Sequence, residues 1–260
     1  MSVIGGVVGT VAKALSLLNL VAAQQEDKGL SELARLAGMD KATARRMLVE
    51  LEAYGFLEQD ASSRRYRIGA APVRLARIRE ARFPLLRTAI PFVKELAETT
   101  GETCHLAEFT ADALYSLHVE DSPKAHRVIV EVGIVMPFHA TASGLAFLAH
   151  LSPEAAESLL KGPLGAFTAE TVTERDILRQ RLAETRARGW SVSRNGLEAG
   201  VVSTAAAVLS PDRKPIATLA VAAPEVRADE ARLLEMGRKV LDAAHRLSAK
   251  LGGGAGGIPA

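Results

Sequence analysis

The sequence predicts an α+β protein with an N-terminal winged helix-turn-helix, a linker helix and a larger C-terminal mixed α/β body. Three observations predict it. Within the first 70 residues, three helical periodicities are followed at once by a compact hairpin pattern. Positive charge gathers in that same stretch. Beyond residue 84, strand-like runs are interrupted by helical ones. The expected division is 1–70, a linker helix over 71–83, a body over 84–251 and a flexible Gly-rich tail over 252–260.

The chain has 260 residues, 48 % hydrophobic and 24 % charged, an ordinary balance for a globular protein. That much apolar material excludes disorder as the dominant state. No run approaches the roughly 18 apolar residues of a membrane span. One cysteine, Cys104, excludes an intrachain disulfide framework and a cysteine-rich zinc finger. Residues 1–10 are apolar and Gly-rich but lack the basic start of a secretion signal, so the cytoplasm is the expected compartment. The net charge of +2 conceals a split. Residues 1–82 carry 13 Lys/Arg against 9 Asp/Glu, and ten of those basic residues fall within 41–82. The remainder carries 19 against 21. A basic head on a weakly acidic body suits a nucleic-acid binder; a solvated face is the plainer reading of the same charges.

In the head, Val11, Leu15, Leu18 and Ala22 recur at helical spacing and predict a helix over 11–23. Ser31 is placed to cap a second helix over 32–37, which Gly38 ends in a left-handed turn. Asp40 caps a third helix over 41–54. Ala44, Met47, Leu48 and Leu51 share a narrow arc of it, and Ala42, Thr43, Arg45 and Arg46 lie outside that arc near the N-terminal end. That layout buries one face and offers the first turns to a major groove. Arg45 and Arg46 suit base edges, and Ala42 suits a thymine methyl. The runs 56–57 and 64–68 around the turn 60–63 form a short wing. Arg64, Arg65 and Arg67 put cations on it for phosphates or a minor groove. Residues 72–82 form a linker helix with Arg74, Arg77, Arg79 and Arg82; its plainer reading is an amphipathic helix lying on its own domain.

In the body, helices are expected over 85–100, 143–151, 174–188 and 225–251. Strands are expected over 104–110, 113–120, 127–132, 190–193, 201–210 and 216–223, forming a mixed sheet with helices packed on it.

These residues carry a resemblance. Ala34, Gly38 and Ala44 have the small–Gly–apolar spacing of helix-turn-helix proteins. The run from Leu30 to Asp60, with Thr43…Arg46 opening the third helix and Tyr66-Arg67-Ile68-Gly69 closing the wing, resembles the DNA-binding domain of IclR-type transcriptional regulators. The family pattern has Leu where Ile68 stands. Residues 137–149 resemble the family's central signature. Phe167-Thr168, Thr171, Arg188-Gly189-Trp190, the segment 198–201 and the strand around 205–207 follow in the family's order. The resemblance covers the chain from about Val11 to Leu251. It implies a GAF-like effector-binding domain with a small-molecule pocket, and a linker helix that joins the domains and helps pair two chains. It also implies a homodimer or homotetramer on a double-stranded DNA operator, with no membrane partner. Bringing two recognition helices to a palindromic operator requires at least a dimer.

The resemblance places Val128, Met136, Ala142, Ser143, Ser193, Val201, Ser203, Ala220 and Ala222 at pocket-lining positions. Members that bind small oxoacids have an acid near Ser193, Cys at Ser203 and Ser at Ala220 and Ala222, so the lining here is less polar. A partly apolar carboxylic acid, such as an aromatic one, suits it better than a glyoxylate- or pyruvate-like effector. The same departures speak against the metal that some members hold, and no cofactor is expected. Ala142-Ser143-Gly144 opens a helix whose N–H groups favour an anion, or is simply a capped start packed under a loop. His118 is a candidate polar partner on its strand.

No catalytic constellation emerges, so an enzyme is not expected. Cys104 and His105 are neighbours on a strand and point to opposite faces. The six histidines show no H-E-x-x-H or i,i+4 pair, and no Gly-rich stretch is followed by G-K-[ST]. The residues together with what the resemblance implies therefore predict a ligand-responsive, sequence-specific DNA-binding regulator. The alternative is a small-molecule sensor or dimerisation module without specific DNA binding.

Overall fold

The computed structural model describes residues 9–82 and 84–252. The expected tail, apart from Gly252, lies outside the described residues. The chain divides into two compact units, Met1–Pro84 and Leu85–Ala260.

The first unit contains α1 (Thr10–Ala22), β1 (Lys28–Gly29), α2 (Leu30–Leu36), α3 (Lys41–Ala53), β2 (Leu57–Gln59), β3 (Arg65–Ile68) and α4 (Ala71–Arg82). Leu17 and Val21 of α1, Leu33 of α2, and Met47, Leu48 and Leu51 of α3 meet Leu57 and Tyr66 of the wing in one core. Helical spacing on three short helices thus converges on a single apolar centre. Gly38 supplies the turn between α2 and α3 at φ +61°. Asp40 caps α3 by accepting the Thr43 N–H at 2.8 Å. The Ser31 cap is corrected. α2 begins at Leu30 with Gly29 at the cap position and no side-chain cap bond. Lys28–Gly29 pairs antiparallel with β3, which turns the chain into the helix early and leaves Ser31 inside its first turn. The wing is therefore a three-stranded sheet, ordered β1-β3-β2, rather than a bare hairpin.

The second unit contains α5 (Leu85–Thr100), β4 (Thr103–Thr110), β5 (Ala113–Glu120), α6 (Ala142–Leu148), α7 (Pro153–Leu159), α8 (Arg175–Arg188), β6 (Ser191–Arg194), β7 (Val201–Leu209), β8 (Pro215–Pro224), a 3-10 turn at Glu225–Arg227 and α9 (Glu230–Lys250). The sheet runs β5-β4-β8-β7-β6. Every pairing in it is antiparallel, which corrects the expected mixed sheet. One face of the sheet, through Cys104, Leu106, Val202, Ala206, Leu219 and Val221, packs on Val93 and Leu96 of α5 and Val240 and Ala244 of α9. The other face carries α6. Ala142 and Ala146 sit on Ala205 and Ala220, and small side chains on both sides let helix and sheet approach closely. Beyond α6, Leu145 and Leu148 pack on Leu178 and Leu182 of α8. Every residue of α6 is buried.

Two further expectations are corrected. Residues 127–132 are not a strand. The outer edge of β5 is taken by the next stretch instead: Gly133 N–H donates to Ser116 O, Ser116 N–H to Ile134 O and Met136 N–H to Leu114 O. The apolar run 127–132 is thereby freed from the ladder. Thr103 Oγ1 holds it by donating to the Val128 carbonyl at 2.6 Å. The last helix begins at Glu230, not 225, because Asp229 caps it by accepting the Arg232 N–H. Helix α7, capped by Ser152 with Pro153 in its first turn, was not expected.

Candidate DNA interface and ligand cavity

In α3 the four residues of the expected arc, Ala44, Met47, Leu48 and Leu51, are buried. Ala42, Arg45 and Arg46 are exposed, and Thr43 is partly exposed. The Asp40 carboxyl is held below the usual carboxylate range, chiefly by the Thr43 hydroxyl and then by its N–H. It stays an anion at the helix start, where the dipole favours one. On the wing, Asp60 Oδ1 accepts from the Ser62 and Ser63 hydroxyls at 2.6 and 2.8 Å and from both their N–H groups. These bonds, led by the Ser62 hydroxyl, push its carboxyl well below the usual range and fix the turn. Arg64, Arg65 and Arg67 are all exposed. Arg67 is paired with Glu58 across the strands, whereas Arg65 reaches the Asp27 carbonyl, at 3.4 Å.

The second unit holds a cavity of about 140 Å³ on the α6 face of the sheet. Strand register sets its floor, to which His105, Ser193, Ser203, Ala220 and Ala222 contribute. Thr103, Ala222, Ser203 and Ser193 stand in one row across β4, β8, β7 and β6, and His105, Ala220, Ala205 and Ser191 stand in the next. Alanines in the middle strands leave the space that larger residues would fill. Ala142 and Ser143 of α6 wall one side, and Val128, Ile129, Val130, Ile134 and Met136 cover another. The remaining lining comes from Ala140, Thr141 and the segment Gly196, Leu197, Glu198 and Val201. That segment is tied down: Thr168 Oγ1 donates to Asn195 O at 2.5 Å, and Thr171 Oγ1 to Gly196 O at 2.6 Å. An engineered cavity of about 150 Å³ with apolar walls accommodates benzene, so a single ring is the right scale here.

Nine of the eleven expected pocket residues line this cavity: Val128, Met136, Ala142, Ser143, Ser193, Val201, Ser203, Ala220 and Ala222. Two do not. A β-bulge between Leu106 and Ala107 sets His118 opposite Leu106, on the sheet face that carries α5 and α9. There its Nε2 lies 2.9 Å from Glu120. Gly144 is a packing residue, and its N–H is taken by the Thr141 hydroxyl at 2.9 Å. That N–H is therefore not offered to an anion.

Of the lining residues that sequence reasoning missed, the one buried titratable group is His105, dismissed with Cys104 as a non-catalytic pair. The same strand alternation could have found it. Cys104 turns to the α5/α9 face, where burial pushes its thiol up to about 12. His105 turns to the cavity, where burial pushes its imidazole down to about 4, so it is neutral. No Lys or Arg is among the described lining residues, and Glu198, which is exposed, is the one carboxylate. Among the described residues, no group of three His, Cys, Asp or Glu stands close enough to hold a metal ion. No helix among them is long and apolar enough to cross a membrane.

A winged helix-turn-helix followed by a sheet domain with a partly open, mainly apolar cavity defines a ligand-sensing transcriptional regulator. Comparison with known proteins agrees. Residues 10–61 match the IclR helix-turn-helix domain, and residues 81–249 match the bacterial transcriptional regulator IclR C-terminal domain. The glycerol operon regulatory protein of Streptomyces griseus is 32 % identical over 247 residues, covering 94 % of this chain and 97 % of that protein. A crystal structure of a candidate IclR transcriptional regulator from Silicibacter sp. TM1040 is 40 % identical with a TM-score of 0.79, covering 95 % of this chain and 98 % of that one. An IclR homolog from Microbacterium hydrocarbonoxydans, complexed with 4-hydroxybenzoate, is 25 % identical with a TM-score of 0.80, covering 94 % and 99 %. The chain belongs to the IclR family, whose members are DNA-binding transcriptional regulators and not enzymes.

Proposed function

We propose that this chain is a cytoplasmic regulator that binds a double-stranded operator as a homodimer or homotetramer and responds to a small organic carboxylic acid, an aromatic one suiting the cavity best. The observation that carries the DNA side is α3 itself, with Ala42, Arg45 and Arg46 exposed at its first turns opposite a fully buried face. Ala42, Thr43, Arg45 and Arg46 would read base edges, and Arg64, Arg65 and Arg67 would hold phosphates. Val73, Leu75 and Ile78 stand exposed on α4, and Val11 and Leu15 on α1, which supports a second copy covering them. The apolar, ring-sized cavity supports the ligand side, together with the 4-hydroxybenzoate bound by a relative. Ligand would favour one placement of the paired DNA-binding heads, with a coupling of about 1–3 kcal/mol.

Arg45→Ala is expected to weaken binding to a selected operator by about 1–3 kcal/mol and to relax specificity at one base position. Fluorescence anisotropy on operator and point-mutated operator reads both, and unchanged affinity would sink the assignment. Arg64→Ala should weaken binding on all sequences alike, with a shallower dependence on salt. Complete absence of salt-dependent DNA binding would favour the sensor or dimerisation module. Ala222→Leu should fill the cavity. The variant is expected to keep operator affinity while losing the rise in melting temperature that an aromatic acid gives the wild type; a preserved rise would place the ligand elsewhere.

A further inference from the structure

His105, in the cavity wall, has unspent hydrogen-bonding capacity in a buried position. His105 is 5 % exposed and lines the cavity. Its Nε2 lies 3.2 Å from the Ser143 hydroxyl, and its Nδ1 is buried without a partner. A buried nitrogen left unpaired is costly, and native proteins rarely leave one without a purpose. The hydroxyls of Thr141 and Ser193 close by are engaged. Thr141 Oγ1 donates to Pro137 O and accepts the Gly144 N–H, and Ser193 Oγ donates to Ala140 O. The neighbours of His105 are uncharged: Ala220 on β8, Val119 on β5 and Ser143 on α6. Glu198, at the exposed rim, is the only charged lining residue among those described. An acid entering this space meets no fixed cation.

We propose that His105, backed by Ser143, is the head-group anchor of the cavity: its imidazole tilts to present the free nitrogen, now closed over by its surroundings, to the ligand's carboxyl group and takes up one proton from solvent as the carboxylate arrives. This rests on the small-acid reading above. The charges balance. In the empty cavity, burial keeps the imidazole neutral. A carboxylate in the same low-dielectric space favours the imidazolium, so one anion and one proton enter together and the site stays neutral overall. Both ring N–H groups then have acceptors, Nδ1 the carboxylate and Nε2 the Ser143 oxygen. The apolar body of the ligand lies over Ala220 and Ala222. An amide or alcohol of the same shape brings no charge and gains none of this.

The test is calorimetry on the full chain with benzoate, 4-hydroxybenzoate and benzamide, at about pH 6 and about pH 8, in buffers of different ionisation heat. The expected result is uptake of close to one proton per bound carboxylate at about pH 6, where the unliganded imidazole is already neutral, weaker affinity and no greater uptake at about pH 8, and no uptake with benzamide. His105→Asn keeps a hydrogen-bonding group but cannot be protonated. It should lose both the uptake and the pH slope, whereas Ser143→Ala should bind more weakly and keep them. Circular dichroism checks that each variant is folded, and the wild-type proton count stands even where a variant is not. Carboxylate binding without proton uptake, or an Asn variant that behaves as the wild type, overturns the anchor and leaves the acid reading intact. No binding of either acid by the wild type overturns both.

Discussion

Replacing Gly144 by Ala is expected to destabilise the C-terminal unit by about 3 kcal/mol or more. A Cβ at this position would sit 2.3 Å from both the Cα and the carbonyl oxygen of Phe138. Those are backbone atoms, so no side-chain rotation relieves the overlap. α6 has no direction in which to retreat. Ala142 and Ala146 already rest on Ala205 and Ala220 of the sheet, and Leu145 and Leu148 are pressed against Leu178 and Leu182 of α8. Displacing the helix would also pull Ser143 from His105 and reshape the cavity wall. Denaturant unfolding of the full chain measures the loss, and a wild-type midpoint would contradict the packing described. Ligand binding should fall with stability, while a head that folds on its own core should keep its helical signal.

The second large effect is expected at Glu102. Its side chain is 1 % exposed, just before β4 and beside the loop that carries Lys124. Arg227, in the 3-10 turn before α9, grips it with Nε and Nη2 at 3.0 and 2.7 Å, and Lys124 Nζ adds a third bond at 2.7 Å. Burial by itself would push the carboxyl up, but the bonds and charges of Arg227 and Lys124 together outweigh it and hold it below the ordinary carboxylate range. A carboxylate lowered by folding stabilises the folded state above its unfolded pKa, and that contribution is lost as pH falls through the folded value. Glu102→Gln should therefore cost about 2–3 kcal/mol at neutral pH. Removal of a partner from a fully buried pair costs more, but Arg227 and Lys124 are 27 % and 42 % exposed and can be rehydrated. The wild-type and variant stability curves should converge in acid, and a gap that persists there would assign the effect to packing instead.

The DNA-binding head was legible almost element by element, because its signals are local. The Asp40 cap acts on a residue three positions away, Gly38 on its own turn, and the buried arc of α3 repeats every three to four residues. The Ser31 cap failed where a distant strand intervened, since Lys28 pairs with Tyr66. The body was legible to a similar degree in its helices and hairpins. α5 and β5 fall on their expected bounds, and Ala111-Asp112 turn at positive φ between β4 and β5. Residues 127–132 misled because β-branched residues suit any half-buried surface, including the wall of a cavity.

The sequence by itself determined the class of this protein: a capped recognition helix, a cationic wing and an ordered series of segments that place the chain in its family. Only the tertiary structure decided how the cavity is made. Pairing β4 with β8 sets Thr103 against Ala222 and His105 against Ala220, residues more than a hundred positions apart that no local periodicity connects. One bulge between Leu106 and Ala107 then sends His118 to the far face of the sheet. The side-chain period of a strand is two, so a single inserted residue exchanges inside for outside. That exchange is set by long-range hydrogen bonding, and with it the choice of which histidine lines the cavity.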